Sequence, residues 1–157
     1  LFRSSIYNIV TKEDKLLRKT CKPVPEITPN VKKLLDNMLE TMYQSNGVGL
    51  AAPQVGILKR LVVVDVGEAG PGPLKLINPE VLERSGVQDG PEGCLSCPGM
   101  WGDVKRSKYV KVKALNPEGE EIIVEGEDFL ARALQHEIDH LDGILFLDTA
   151  TNIEYQK

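Results

Sequence analysis

The sequence predicts an α+β fold in which mostly antiparallel strands pack on two principal helices. One segment near residue 35 carries apolar residues at helical spacing, and a second, ending near residue 142, has the residues typical of helix ends. Residues 109–115 alternate between apolar residues and lysines and precede a turn, as in a β-hairpin. These three patterns indicate two helices that are separated along the chain by strands.

The first helix is expected to begin just after residue 30 and to end near Ser45–Gly47. Its apolar residues recur at the i, i+3, i+4, i+7 spacing of one helix face, and they are Val31, Leu34, Leu35, Met38, Leu39 and Met42. A segment with three prolines, residues 21–30, precedes it and is expected to be extended. Asn30 is therefore a candidate N-cap.

Strands are expected in the middle of the chain, where β-branched and alternating segments are bounded by turn residues. The expected strands are, in order, residues 60–66, 74–78, 80–84, 109–115 and 120–125. The second helix should span about Glu127 to Asp142, because acidic residues favour the positive end of a helix dipole and Gly143 is a suitable residue just past its end. The tail after residue 148 is short and polar, and no element is assigned to it.

Composition is that of an ordinary globular protein, and it excludes several functional classes. The chain has 157 residues, of which 41% are hydrophobic, and 19 Lys and Arg oppose 23 Asp and Glu for a net charge of −4. One domain over residues 1–157 is expected, and the acidic balance argues against nucleic-acid binding. No apolar stretch approaches the roughly 20 residues that a bilayer requires. With no signal-peptide pattern and only three cysteines, we expect a cytoplasmic protein that acts away from membranes.

The two histidines of the chain lie four residues apart in QHEIDH, residues 135–140. On a helix, His136 and His140 project from one face and can bind one metal ion. Glu137 follows the first histidine, where a metallohydrolase keeps its general base. The alternative is an exposed helix with two solvated histidines. The HExxH pattern predicts a metal-binding helix. The fold that we expect has this helix at its centre, with mostly antiparallel sheets packed around it and the second long helix near the N-terminus.

A catalytic metal site needs a third protein ligand and an open position. Because no further histidine exists, that ligand must be Cys, Asp or Glu, and Cys94 is attractive because it lies among small residues in a turn, PEGCLSCPG. Cys94 and Cys97 also form a Cys-x-x-Cys pair, which leaves open a dithiol redox centre or a closed Cys2His2 structural site. Otherwise Cys97 is a small buried residue.

A third segment, GVGLAAPQ, spans residues 47–54. Its glycines are typical of a close helix-to-strand crossing. They also suit a strand that lines a substrate site and ends in Gln54, whose amide can donate to an oxyanion. Together GVGLAAPQ, EGCLS (residues 92–96) and QHEIDH, in this order and spacing, closely resemble the three signature motifs of the peptide deformylase family.

The resemblance implies hydrolysis of the formyl group from a formyl-methionyl chain, with release of formate. It implies Cys94, His136 and His140 as metal ligands, with water in the fourth position. Glu137 is then the base. The Gln54 amide and the Leu95 backbone N–H stabilise the oxyanion.

Substrate binding in this family implies that the peptide extends a sheet edge. The backbone of Gly47, Val48 and Gly49 is expected to hydrogen-bond the peptide. Val48, Phe129 and Ala133 are candidates for the pocket that accepts the methionine side chain, although each is equally well explained as a core residue.

The cofactor implied is one divalent metal ion. The Irving–Williams order favours Zn²⁺ over Fe²⁺ at such a site, yet the family uses Fe²⁺ in the cell and accepts Ni²⁺, Co²⁺ or Zn²⁺ in preparations. The implied partners are N-formyl-methionyl nascent peptides, with room for a transient ribosome contact. Cys97 departs from the family pattern, in which an aliphatic residue is common.

Two other functions remain open at this point, a non-catalytic structural metal-binding domain and a general HExxH metalloprotease. Glu137 and Gln54 argue against the first because neither is needed to hold a metal. The absence of a further downstream His or Glu ligand argues against the second.

Overall fold

The computed structural model describes residues 6–156, and it confirms the α+β prediction. The helices are α1 (Pro29–Gln44) and α2 (Asp128–His140). The strands are β1 (Gly49–Ala51), β2 (Leu61–Val64), β3 (Leu74–Ser85), β4 (Gln88–Cys94), β5 (Cys97–Arg106), β6 (Tyr109–Leu115), β7 (Glu121–Glu127) and β8 (Thr151–Tyr155). Short 3-10 helices span Lys15–Arg18, Ala52–Val55, Gly67–Ala69 and Phe146–Asp148.

The strands form two antiparallel sheets. Five strands pair in the order β1-β2-β3-β6-β7, and three pair in the order β4-β5-β8. None of the helices among residues 6–156 is long and apolar enough to cross a membrane.

The two helices pack on opposite faces of the five-stranded sheet. Val62 and Val64 of β2 belong to the cluster that contains α2, whereas Leu61 and Val63 belong to the cluster that contains α1. All four are fully buried, because successive side chains of a strand point to opposite faces and both faces are covered. Ten of the thirteen residues of α2 are buried. The HExxH helix is therefore central, as the sequence predicts.

The start of α1 differs from the prediction. Thr28, not Asn30, is the N-cap, because the Thr28 side chain accepts a hydrogen bond from the Val31 backbone N–H at 3.2 Å. Pro29 then occupies the first helical turn, where its missing N–H costs nothing.

The two short strands expected at 74–78 and 80–84 are one strand, β3, with bulges in its pairing to β6. Asn78 adopts a left-handed backbone conformation, φ 53°, at the first bulge. Its side-chain amide hydrogen-bonds both the N–H and the carbonyl of Val24, at 2.8 and 2.9 Å. These contacts hold the irregular position, so the strand continues instead of ending.

The tail is the strand β8, which pairs with β5. All five of its residues are exposed. Ile153 and Tyr155 alternate with Asn152 and Glu154, but two apolar residues in five are too short a pattern to predict a strand.

Candidate active site

The end of β4 and one face of α2 bring together Cys94, His136 and His140. One ligand atom from each lies within 4.8 Å of the others, and Cys94 Sγ is 3.4 Å from His140 Nε2. One thiol and two imidazoles are a donor set that fits a divalent transition metal with one position left open. Cys97 lies opposite Cys94 where β4 and β5 pair. It is buried against Val104 and Phe146, which agrees with the interpretation of Cys97 as a small buried residue.

Burial and neighbouring groups shift the pKa values of these side chains. It lowers the pKa of His140 well below its usual value, so the imidazole is neutral, as a metal ligand must be. A hydrogen bond with Cys97 and burial hold the pKa of the Cys94 thiol above its usual range. A bound cation reverses that effect, since a coordinating thiol is deprotonated.

The carboxylate of Glu137 lies beside this cluster and is 5% exposed. Its Oε2 is 3.9 Å from His136 Nε2. Within residues 6–156, Oε1 is one of two buried side-chain atoms that have no hydrogen-bond partner. Burial raises the pKa of Glu137 to about 7. A carboxylate with such a pKa exchanges a proton readily near neutral pH.

Gly49 leaves the space that Glu137 occupies. A Cβ at this glycine would come within 2.5 Å of Glu137 Oε2 and 2.7 Å of Cγ. The glycine is therefore explained by a close approach to a side chain from α2, and its φ is not positive.

The amide of Gln54 is oriented by three contacts. Its Oε1 accepts the Ala51 backbone N–H at 2.9 Å, and its Nε2 donates to Ser96 Oγ at 3.1 Å and to Cys94 Sγ at 3.4 Å. Because the oxygen is already engaged, the NH2 group faces the cluster of Cys94, His136 and His140.

A cavity of about 460 Å³ opens beside this cluster. Every predicted site residue except His140 lines it, and the others are Gly47, Val48, Gly49, Gln54, Cys94, Leu95, Phe129, Ala133, His136 and Glu137. His140 lies deeper and is 1% exposed. Val48 and Phe129 are 39% and 46% exposed. Val48 and Phe129 are therefore not core residues. Ala133 is buried and forms part of the cavity wall.

The strand β1 is an edge of the five-stranded sheet. Val48 accepts a hydrogen bond from the Asp65 N–H at 2.8 Å, and the next pair along the ladder is Gly49 with Val64. Bonded and non-bonded pairs alternate in an antiparallel ladder. The N–H and carbonyl of Gly49 therefore point away from β2, where an added strand could bind them.

Sequence reasoning missed the residues that hold His136. Glu92 accepts a hydrogen bond from His136 Nδ1 at 2.8 Å and two from Arg106 at 2.8 and 2.9 Å, and it also binds Arg132. Burial alone would raise the pKa of Glu92, but the hydrogen bonds from Arg106 and His136 outweigh it and lower the pKa to about 2. Since Nδ1 is engaged, Nε2 of His136 is left for a metal. Glu92 lies within the EGCLS segment, yet its partners come from β5 and α2, and no local pattern identifies them.

Comparisons with known proteins agree with this geometry. A family model described as polypeptide deformylase matches residues 6–156. The peptide deformylase of Carboxydothermus hydrogenoformans is 57% identical over 149 residues, which is 95% of this chain and 96% of the relative. That of Desulfitobacterium hafniense is 59% identical over 146 residues, 93% of this chain and 95% of the relative.

Solved structures give the same result. The crystal structure of peptide deformylase from Thermotoga maritima has a TM-score of 0.89 and 47% identity, and the match covers 94% of this chain and 99% of that one. The Ehrlichia chaffeensis enzyme in complex with actinonin has a TM-score of 0.92 and 39% identity, and the match covers 94% and 90%. These comparisons do not favour the two other functions, a structural metal-binding domain and a general metalloprotease. The chain belongs to the polypeptide deformylase family, metal-dependent hydrolases that remove N-terminal formyl groups.

Proposed function

We propose that Cys94, His136 and His140 bind the catalytic metal ion of this deformylase and that Glu137 is its general base. The observation that carries the proposal is the position of Glu137, a buried carboxylate that lies against Gly49 and beside the three ligands. A structural metal site has no use for such a carboxylate, whose burial is costly.

A divalent metal at these ligands supplies Lewis-acid chemistry, which polarises a carbonyl and acidifies water. Glu137 accepts the proton of the attacking water and later donates it to the departing amine. A C–O bond to the formyl carbon forms and the C–N bond breaks. Formate and the free amino terminus are the products.

The negative charge that develops on the formyl oxygen needs hydrogen-bond donors. The Gln54 NH2 group and the Leu95 backbone N–H are the donors that we propose. The contacts with Ala51 and Ser96 support the first, because they orient the amide before substrate arrives and use only one of its two N–H groups. The other N–H, which now faces Cys94 Sγ, is the one that donates to the oxyanion. One such donor is worth roughly 10²–10³ in rate in acyl-transfer enzymes.

The peptide binds as an added strand along the outer edge of β1. The N–H and carbonyl of Gly49 and the carbonyl of Gly47 are its backbone partners. The Val48 carbonyl is paired with Asp65, so Val48 contributes its side chain. The methionine side chain enters the cavity between Val48, Phe129 and Ala133. The exposure of Val48 and Phe129 at the cavity supports this assignment, because apolar side chains left exposed at a concave site suit an apolar ligand.

We further propose Fe²⁺ as the metal in the cell and the cytoplasm as the compartment. The substrates are N-formyl-methionyl nascent peptides. Contact with the ribosome is transient, since a chain with a net charge of −4 gains little from nucleic-acid phosphates.

The decisive measurement is formate release from formyl-Met-Ala-Ser by protein prepared without oxygen and loaded with Fe²⁺ or Ni²⁺. The wild type should release formate, and Glu137→Ala should lose activity while it keeps one metal ion per chain. Glu118→Ala, at an exposed turn, is the matched control and should behave as the wild type. No formate from metal-loaded wild type would overturn the proposal, and an active Glu137→Ala would remove the assigned base.

A further inference from the structure

We infer that Arg132 is a positioning residue for the metal ligand His136 and that it acts through Glu92. The inference rests on the proposed function, because it takes His136 as a ligand. Within residues 6–156, Arg132 hydrogen-bonds Glu92 and Val104 but none of the three proposed ligands, so its effect is on the carboxylate that orients the imidazole.

Arg132 precedes His136 by one turn of α2, so the two side chains project from the same helix face. The guanidinium of Arg132 binds Glu92 Oε2 through Nη1, which also donates to the Val104 carbonyl at 3.0 Å. The other oxygen of Glu92 accepts from His136 Nδ1 at 2.8 Å. One carboxylate therefore joins the arginine and the ligand, and Val104 ties the arginine to β5.

Arg106 does not make Arg132 redundant. The guanidinium of Arg106 is shared between two carboxylates. Its Nη1 donates to Asp139 at 2.6 Å, while its Nε and Nη2 bind Glu92. The cluster therefore contains two guanidinium groups and two carboxylates, which balance in charge. Without Arg132, Glu92 would share a single guanidinium with Asp139 in a buried position, where an undercompensated charge is costly. Glu92 would lose one of the contacts that hold it against His136.

Arg132 also lines the substrate cavity and is 7% exposed. A Cβ at Gly90 would lie 3.4 Å from its Nη2, so β4 passes close over the guanidinium. The arginine is thus confined between β4, β5 and α2. A residue so confined holds its partner in one geometry, which is what a ligand-orienting carboxylate requires.

The test is the affinity of the protein for Co²⁺, measured by competition with a chelator. Arg132→Met keeps an apolar stem and removes the guanidinium, and it should weaken Co²⁺ binding roughly 10–100-fold, the range for partners of metal ligands. The visible absorption of the Co²⁺ form should shift as the imidazole reorients. Arg132→Lys, which keeps the charge, should recover part of the affinity.

Arg84→Met is the matched control. Arg84 also binds a side chain of α2, Gln135 at 3.3 Å. In the described part of the chain it makes no hydrogen bond to Glu92, whose partners are Arg106, Arg132 and His136. The Arg84→Met variant should have an affinity for Co²⁺ within twofold of that of the wild type. Circular dichroism of each variant separates loss of the fold from loss of the ligand geometry.

A double variant tests the route through Glu92. If Arg132 acts through it, adding Arg132→Met to Glu92→Gln should weaken Co²⁺ binding by no more than about twofold beyond Glu92→Gln alone. Additive losses, or Arg132→Met within twofold of the wild type, would overturn the inference. Should Arg132→Met fail to fold, Arg132→Lys with and without Glu92→Gln is judged by the same criterion. If the wild type binds no Co²⁺, both the proposed function and this inference are overturned. If the wild type is active and Arg132→Met binds Co²⁺ as tightly as the wild type, this inference alone is overturned.

Discussion

Gly49 on β1 and Glu137 on α2 lie so close that a Cβ on the glycine would be 2.5 Å from the carboxylate oxygen Oε2. Gly49→Ala should therefore displace Glu137 and lower kcat roughly 10–100-fold, since a misplacement near 1 Å can cost about 10² in rate. The fold should survive, because the added Cβ meets a side chain that lines the cavity and no backbone atom. The measurement is kcat for formyl-Met-Ala-Ser together with metal content.

Gly70→Ala is the control for that experiment. A Cβ at Gly70 would meet Val66 Cγ2 at 2.5 Å, an equally close side-chain contact outside the cavity. It should leave kcat unchanged. If Gly49→Ala retains full kcat, Glu137 is not the base that we propose.

The raised pKa of Glu137 predicts how the free energy of unfolding of the metal-free protein depends on pH. Burial raises its pKa to about 7 in the folded state, from an ordinary value of 4.5. A raised carboxyl pKa disfavours folding once the group ionises, so the free energy of unfolding should fall as pH rises from about 4.5 through 7. The expected loss is roughly 3 kcal/mol, since one pKa unit is worth about 1.4 kcal/mol.

Urea unfolding of metal-free wild type and Glu137→Gln between pH 5 and 8 checks this. The variant should lack that part of the pH dependence and be the more stable protein at pH 8. Identical pH profiles for the two proteins would contradict the prediction.

Gln54 presents its NH2 group to the metal-binding cluster, so its loss should affect the rate more than metal binding. Gln54→Ala should lower kcat roughly 10²–10³-fold, the value of one oxyanion donor. Metal content, measured in the same samples, should not change. Gln44→Ala removes an exposed amide on α1 that binds Glu40, and it should have wild-type kcat. A Gln54→Ala enzyme within threefold of wild type would exclude the donor role.

The proposal that Cys94 is a metal ligand predicts that activity is sensitive to air. An iron form should lose activity faster than a nickel form, because iron reacts with dioxygen and the resulting oxidants attack the Cys94 thiolate. Activity followed over time in air, with mass spectrometry of the peptide that contains Cys94, measures both events. Equal decay of the two metal forms would refute the thiolate explanation.

Local features of the site were predictable because they depend on helix geometry alone. Two residues four positions apart share a helix face, so the spacing alone predicts that His136 and His140 lie together, with Glu137 beside them. The N-cap of α1 was misplaced by two residues, since Thr28 and Asn30 are both good caps and only the contact with Val31 distinguishes them. The bulge at Asn78 was missed because it depends on Val24, 54 residues away in the sequence.

By itself the sequence determined the α+β class, both helices, the HExxH pair and, through three motifs, the resemblance to deformylases. Tertiary structure alone decided which side chains meet. In the folded chain Cys94 lies beside the two histidines, and Gly49 packs against Glu137. Glu92 binds Arg106, Arg132 and His136. Helical spacing follows from hydrogen bonds between near neighbours, whereas these contacts join separate strands and helices. They depend on how the two sheets enclose α2, which no local pattern in the chain specifies.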